Sequence, residues 1–203
     1  MFSSLPTCLG QFPIQCDEFV YHVYMPIKMA DASMVRVPPH LSCFWPLVEQ
    51  VMFFGGHADK YMYLTVKKMH ISNGQWSNRS GWHLDGFGSA DNNFIWSDCL
   101  PTEFVHGDFS LSDGHDESML QMTLQAEGRE ITTYPAHSLL ALDPNNVHRV
   151  AVCEDDCVRT FCKISLSDSQ YNLRGNAHNY LFDYDWPMVE RKCNRNHPVG
   201  SAT

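Results

Sequence analysis

Tyr61-Met-Tyr-Leu-Thr-Val-Lys-Lys-Met-His-Ile71 is β-branched and aromatic, a pattern that predicts a strand. Just upstream, Cys43–Phe54 spaces its apolar positions as a short helix does, and Gly55-Gly56 ends it. The first forty residues are rich in Pro, Met and Cys, are broken by Pro38-Pro39, and predict no regular element. From residue 80 onward the apolar runs are short, and strands are predicted at 81–86, 93–97, 118–126, 130–134, 138–142, 147–152 and 158–166. Turn-forming residues separate them at Gly86–Asp91, Gly107–Gly114, Glu127-Gly128, Asp143–Asn146 and Cys153–Asp156. Strands of this length and spacing predict a mainly β protein, a sandwich or barrel, with the N-terminal helix packed on its outside. Residues 168–195, with Asp183-Tyr-Asp-Trp-Pro187, read as an irregular C-terminal wrap.

A chain of 203 residues with 44% hydrophobic and 18% charged positions is expected to form one globular domain over residues 1–203. No apolar run approaches the ~18–20 residues that span a bilayer. The N-terminus, Met1-Phe-Ser-Ser-Leu-Pro-Thr-Cys8, lacks the basic and apolar regions of a signal peptide, so a cytoplasmic protein without a membrane partner is expected. Its eight cysteines then read as mostly reduced thiols, although Cys153 and Cys157 flank a turn that a disulfide could close. The net charge of −9 is concentrated: residues 81–157 hold 14 Asp/Glu against 2 Lys/Arg. Such a surface repels polyphosphate, which weighs against nucleic acid as a partner. Lys67, Lys68 and Arg79 form the one basic stretch, read as a solvated strand edge.

The candidate chemistry lies in Gly81-Trp-His-Leu-Asp-Gly-Phe87 and Ser138-Leu-Leu-Ala-Leu-Asp-Pro-Asn-Asn-Val-His-Arg-Val150. On a strand, His83 and Asp85 share a face, and Trp82 and Leu84 share the other. His148 follows a strand and a turn, so four or so short strands can return it beside His83. Two imidazoles and one carboxylate on one side of an ion suit iron(II) and leave sites for substrates. Arg159 begins the next strand and offers the paired donors that hold a carboxylate, with Lys163 on the same face as a second anchor. A second His-x-Asp, His57-Ala-Asp59, sits in a glycine-flanked loop and ranks lower. His106, His115 and His137 are rivals to His148 but lack its strand–turn–strand setting.

These motifs resemble the iron(II)- and 2-oxoglutarate-dependent dioxygenases, most closely the phytanoyl- and prolyl-hydroxylase branches, over roughly residues 60–166. The resemblance implies a double-stranded β-helix (jelly roll) in which His83, Asp85 and His148 bind Fe(II). It also implies that Arg159 pairs with the distal carboxylate of the co-substrate 2-oxoglutarate, with Tyr63 or Thr65 adding a hydroxyl. The activity implied is hydroxylation by O2 of a small molecule or a peptide side chain, with a nucleobase or nucleoside as the second expectation. Arg79, Trp82, Phe87 and Asn93 are candidate substrate contacts, although the aromatics are expected mostly to pack. A cupin-like metalloenzyme without a co-substrate and a non-catalytic jelly-roll binding module are the other two classes the residues allow.

Overall fold

The computed structural model describes residues 1–85 and 89–191. In chain order the elements are β1 (Phe2–Ser3), β2 (Thr7–Gln11), β3 (Tyr21–Lys28), a 3-10 helix (Pro39–Phe44) running into α1 (Trp45–Phe54), β4 (Tyr61–Ile71), β5 (Asn92–Ser97), β6 (Glu103–Phe104), β7 (Gly107–Asp108), α2 (His115–Ala126), β8 (Thr132–Thr133), β9 (Ser138–Leu142), β10 (His148–Arg149) and β11 (Cys157–Ser167). The main sheet is antiparallel with strand order β2-β9-β5-β11-β4-β3. A three-stranded sheet, β10-β6-β8, and the pair β1-β7 complete the β structure. The protein is therefore mainly β, but its sheets do not close into a barrel among the described residues.

The period-2 pattern of β4 and β11 gives the main sheet two unlike faces. Met62, Leu64, Val66, Cys162, Ile164, Leu166, Phe94 and Trp96 point to one side and pack on Leu47, Val48 and Val51 of α1. The helix thus lies on the outer face, as its apolar spacing predicts. The other face carries Tyr63, Thr65 and Lys67 on β4 beside Phe161, Lys163 and Ser165 on β11. It is apolar only toward β5 and β9, where Ile95, Leu140, Leu142 and Phe161 meet Phe104.

The structure departs from the sequence expectations at five places. The first forty residues hold two strands of the main sheet, β2 and β3, one at each edge. β3 contains Pro26, which an edge strand tolerates because its free side needs no N–H donor. Residues 118–126 belong to α2, not to a strand. Ser118, Met122 and Ala126 recur at helical spacing and are buried, while Leu120 and Leu124 are exposed. Asp116 and Glu117 in the first turn favour that helix end. The segment 81–85 is a single antiparallel bridge, His83 to His148, and the strand expected at 147–152 is two residues long. Lys67 lies buried, not on a solvated edge.

Candidate metal centre

The two histidines face each other because their backbones pair. His83 N–H donates to His148 O at 2.9 Å and His148 N–H to His83 O at 3.0 Å. That bridge brings the imidazoles to 4.5 Å between centroids, although 64 residues separate them in the chain. Each ring is held by a local carbonyl. His83 Nδ1 lies 2.9 Å from Gly81 O, and His148 Nδ1 lies 2.8 Å from Asn146 O. A carbonyl only accepts, so each Nδ1 carries the hydrogen and each Nε2 keeps its lone pair.

The carbonyls are placed by turn chemistry. Gly81 has φ +82, a left-handed conformation that suits glycine. In the Asp143–Asn146 turn, Asn145 N–H donates to Asp143 Oδ1 at 2.7 Å and Asp143 N–H to Asn146 Oδ1 at 2.8 Å. Asn146 Nδ2 then reaches Ser4 O at 2.8 Å, tying the turn to the N-terminus. Two residues on from His83, Asp85 turns its carboxylate back to the pair, with Oδ2 3.7 Å from His148 Nε2. One ligand atom from each of His83, Asp85 and His148 lies within 4.8 Å of the other two. Trp82 and Leu84 point the opposite way and pack with Val105, Phe109, Met122 and Val147. Alternation of side-chain faces therefore holds through 82–85 even without a continuous ladder.

Electrostatics favour metal-binding protonation states. Burial, together with the neighbouring His148, pushes the His83 imidazole down to about 3. Burial lowers His148 as well. Both rings are neutral at physiological pH. Burial alone would raise Asp85, but the Lys163 ammonium and the two imidazoles hold its carboxyl well below the usual carboxylate range. Lys163 Nζ sits 3.0 Å from Asp85 Oδ2, and this ion pair, with Tyr24 beside it, raises the lysine against the opposing effect of burial. Two neutral imidazole nitrogens and one anionic oxygen form a donor set that fits a divalent first-row cation.

Around this centre the sequence candidates divide. Arg159 is buried on the sheet face that carries Lys163; its Nε donates to Cys99 O and Leu100 O at 3.0 and 3.2 Å, and its Nη2 has no hydrogen-bond partner. The Tyr63 hydroxyl is committed at both ends, donating to Ser169 O and accepting from Tyr171 N–H. Thr65, opposite Lys163, accepts from Tyr24 N–H at 2.9 Å and keeps its own hydrogen to donate. Asn93 lies on the same face and accepts from Ser165 Oγ at 2.6 Å. Trp82 belongs to the α2 core with Arg149 stacked at 4.5 Å, so packing accounts for it. Arg79 rests against the sulfur of Met119, and its charge is felt at His83. Phe87 lies outside the described residues. Of the rival ligands, His57 and Asp59 sit in a loop, His106 is exposed, and His137 takes a positive φ beside Trp96. Cys153 and Cys157 bring their sulfurs to 3.3 Å as thiols, and the seven described cysteines are free.

No protein-family description and no curated protein matches the chain. Three solved structures overlap it in part. One is EvdMO1, with 17% identity and a TM-score of 0.36, covering 53% of this chain and 26% of its own length. Another is an oxidoreductase of the 2OG-Fe(II) oxygenase family from Burkholderia pseudomallei, with 13% identity, a TM-score of 0.41 and coverage of 77% and 71%. The third is a cupin protein from Bacteroides fragilis, with 12% identity, a TM-score of 0.29 and coverage of 63% and 79%. This chain spans about a quarter of EvdMO1. Likeness at this level leaves the reading of the site to its own residues. No described helix is long and apolar enough to cross a membrane.

Proposed function

We propose that this chain is an iron(II)- and 2-oxoglutarate-dependent oxygenase, a hydroxylase built on a double-stranded β-helix whose core is residues 60–166 of a single domain. The observation that carries this reading is the buried convergence of His83, His148 and Asp85, with both Nδ1 atoms tied back so that both Nε2 atoms are free. Bound iron, given 2-oxoglutarate and O2, supplies oxidative decarboxylation of the co-substrate to succinate and hydroxylation of a C–H bond. Arg159, eleven residues after His148, a step similar to that of the basic residue in the phytanoyl- and prolyl-hydroxylase branches, is the anchor for the distal carboxylate, through its unpartnered Nη2. Thr65, on the same face but opposite Lys163 rather than Arg159, is the hydroxyl that keeps a hydrogen to donate. Lys163 orients Asp85 and holds it anionic. Ile95, Leu140, Leu142 and Phe161 form the buried apolar part of the same sheet face.

The test is succinate release by protein loaded anaerobically with iron and then given O2, 2-oxoglutarate and a panel of small molecules and peptides. Release should require both the metal and 2-oxoglutarate. Asp85→Ala should lose iron in a direct metal assay. Iron content equal to wild type would remove the triad, whereas iron retained with no binding of 2-oxoglutarate would leave a cupin-like metalloprotein.

A further inference from the structure

Three cations are buried on the inner face of the main sheet: Lys67 at 4% exposure, Arg159 at 3% and Lys163 at 7%. The β4–β11 register sets Lys163 opposite Thr65, Phe161 opposite Lys67 and Arg159 opposite Met69. Lys67 is thus the diagonal neighbour of both other cations, within reach of long side chains. Only Lys163 has a carboxylate partner, Asp85. Lys67 Nζ donates to the neutral Asn78 Oδ1 at 3.2 Å and lies 5.2 Å from the centre of the Tyr21 ring. Among the described residues no carboxylate comes within 4 Å of Lys67 or Arg159. Asp85 acts on Lys67 and Asp98 on Arg159 from farther off; Asp85 is taken by Lys163, and Asp98 Oδ1 by Thr160 N–H. Burial, then Lys163 and Arg159, against the opposing pull of Asp85, push Lys67 down to about 8, so it stays mostly charged at neutral pH.

Uncompensated buried charge is costly, and proteins keep it where a counter-ion arrives. The oxygenase reading supplies part of that counter-charge. Iron(II), Asp85, doubly anionic 2-oxoglutarate and one arginine are together neutral. Lys163 and Lys67 then stand in excess, one beside a metal ligand and the other next to it on the sheet.

We propose that the primary substrate carries an anionic group, a carboxylate or a phosphate, which Lys67 and Lys163 receive beside the metal. This rests on the oxygenase reading for the place of the co-substrate. Arg159 is the cation left for 2-oxoglutarate because its planar fork matches a carboxylate and Lys67 and Lys163 lack one. The anion is a small one. A long polyanion would meet the 14 acidic residues of 81–157 against only 2 basic ones.

The experiment is calorimetric titration of manganese-loaded protein with inorganic phosphate, acetate and 2-oxoglutarate, each anion alone and then with 2-oxoglutarate saturating. Phosphate or acetate should bind one-to-one alongside 2-oxoglutarate, and the stronger of the two tells a phosphorylated from a carboxylated substrate. Lys67→Met should weaken that anion by about ten-fold or more and leave 2-oxoglutarate within about two-fold, while Arg159→Met should do the reverse. Lys67→Arg should keep the anion, and it serves as the folded control together with the melting curve of Lys67→Gln. An anion that binds Lys67→Met as it binds wild type, or no anion binding to wild type, overturns the proposal. So does a ten-fold loss of 2-oxoglutarate in Lys67→Met, which would make Lys67 a co-substrate anchor. Failure of wild type to bind 2-oxoglutarate sinks the oxygenase reading instead, and the titrations without it still decide whether Lys67 holds an anion.

Discussion

A histidine becomes a metal ligand when one nitrogen is fixed by a partner and the other is left open, and here both partners are backbone carbonyls two residues upstream. The positions of Gly81 and Asn146 therefore matter as much as the ligands. Asn146→Ala leaves the accepting carbonyl but frees the turn from Ser4 and from Asp143 N–H. It should lower metal affinity by about ten-fold, measured by competition with a chelator. Lys163→Met should destabilise the metal-free protein by up to about 3–5 kcal/mol, because it strands Asp85, less whatever solvent reaches that carboxylate. Bound metal replaces the lost charge, so the same variant should lose less in the metal-loaded state, and equal losses in urea titrations would contradict the pairing. The His-x-Asp pattern and the distal histidine are legible in the sequence because few residue types ligate a metal ion. Lys67 is not, since an isolated Lys-Lys pair on a strand gives no sign of which member faces inward.

Elements show where periodicity misled. The apolar run Ser118–Ala126 fits a strand by composition, yet its burial follows every fourth residue because Trp82, Leu84 and Phe109 offer a surface for one helical stripe. Met122→Ala should cost about 2–5 kcal/mol in chemical unfolding. It should also loosen metal binding, since Trp82 and Leu84 alternate with His83 and Asp85 on one short segment. Unchanged metal affinity in this variant would separate the α2 core from the site. The ends of β4 and β9 are legible in the sequence, because β-branched and aromatic runs bounded by glycine or turn residues leave little choice. β2 and β3 are not legible in the sequence because they are edge strands, where Pro26 and the irregular pairing around Gly10 are allowed.

For the molecule as a whole, the buried imidazoles couple folding to pH. Unfolded, a histidine binds its proton below about 6.5, whereas His83 in the fold resists until about 3. The unfolded state holds more protons between those limits, so stability is full above about 6.5 and falls with falling pH. The slope is about 1.4 kcal/mol per pH unit from His83, and His148 adds in the same direction. Denaturant titrations of metal-free protein should show this decline and His83→Gln should flatten it; a level profile from pH 6.5 to 4 would mean the rings are not buried neutral. The amino-acid sequence by itself determined the mainly β class, the outer helix and the set of residues able to hold a divalent metal, because side-chain alternation and ligand chemistry are local properties. Only the tertiary structure decided that His83 and His148 pair through their backbones, that Lys163 serves Asp85, and that Lys67 is buried. Those relations depend on the antiparallel pairing of distant segments, and pairing register is fixed by the packing of the whole sheet rather than by any one stretch of it.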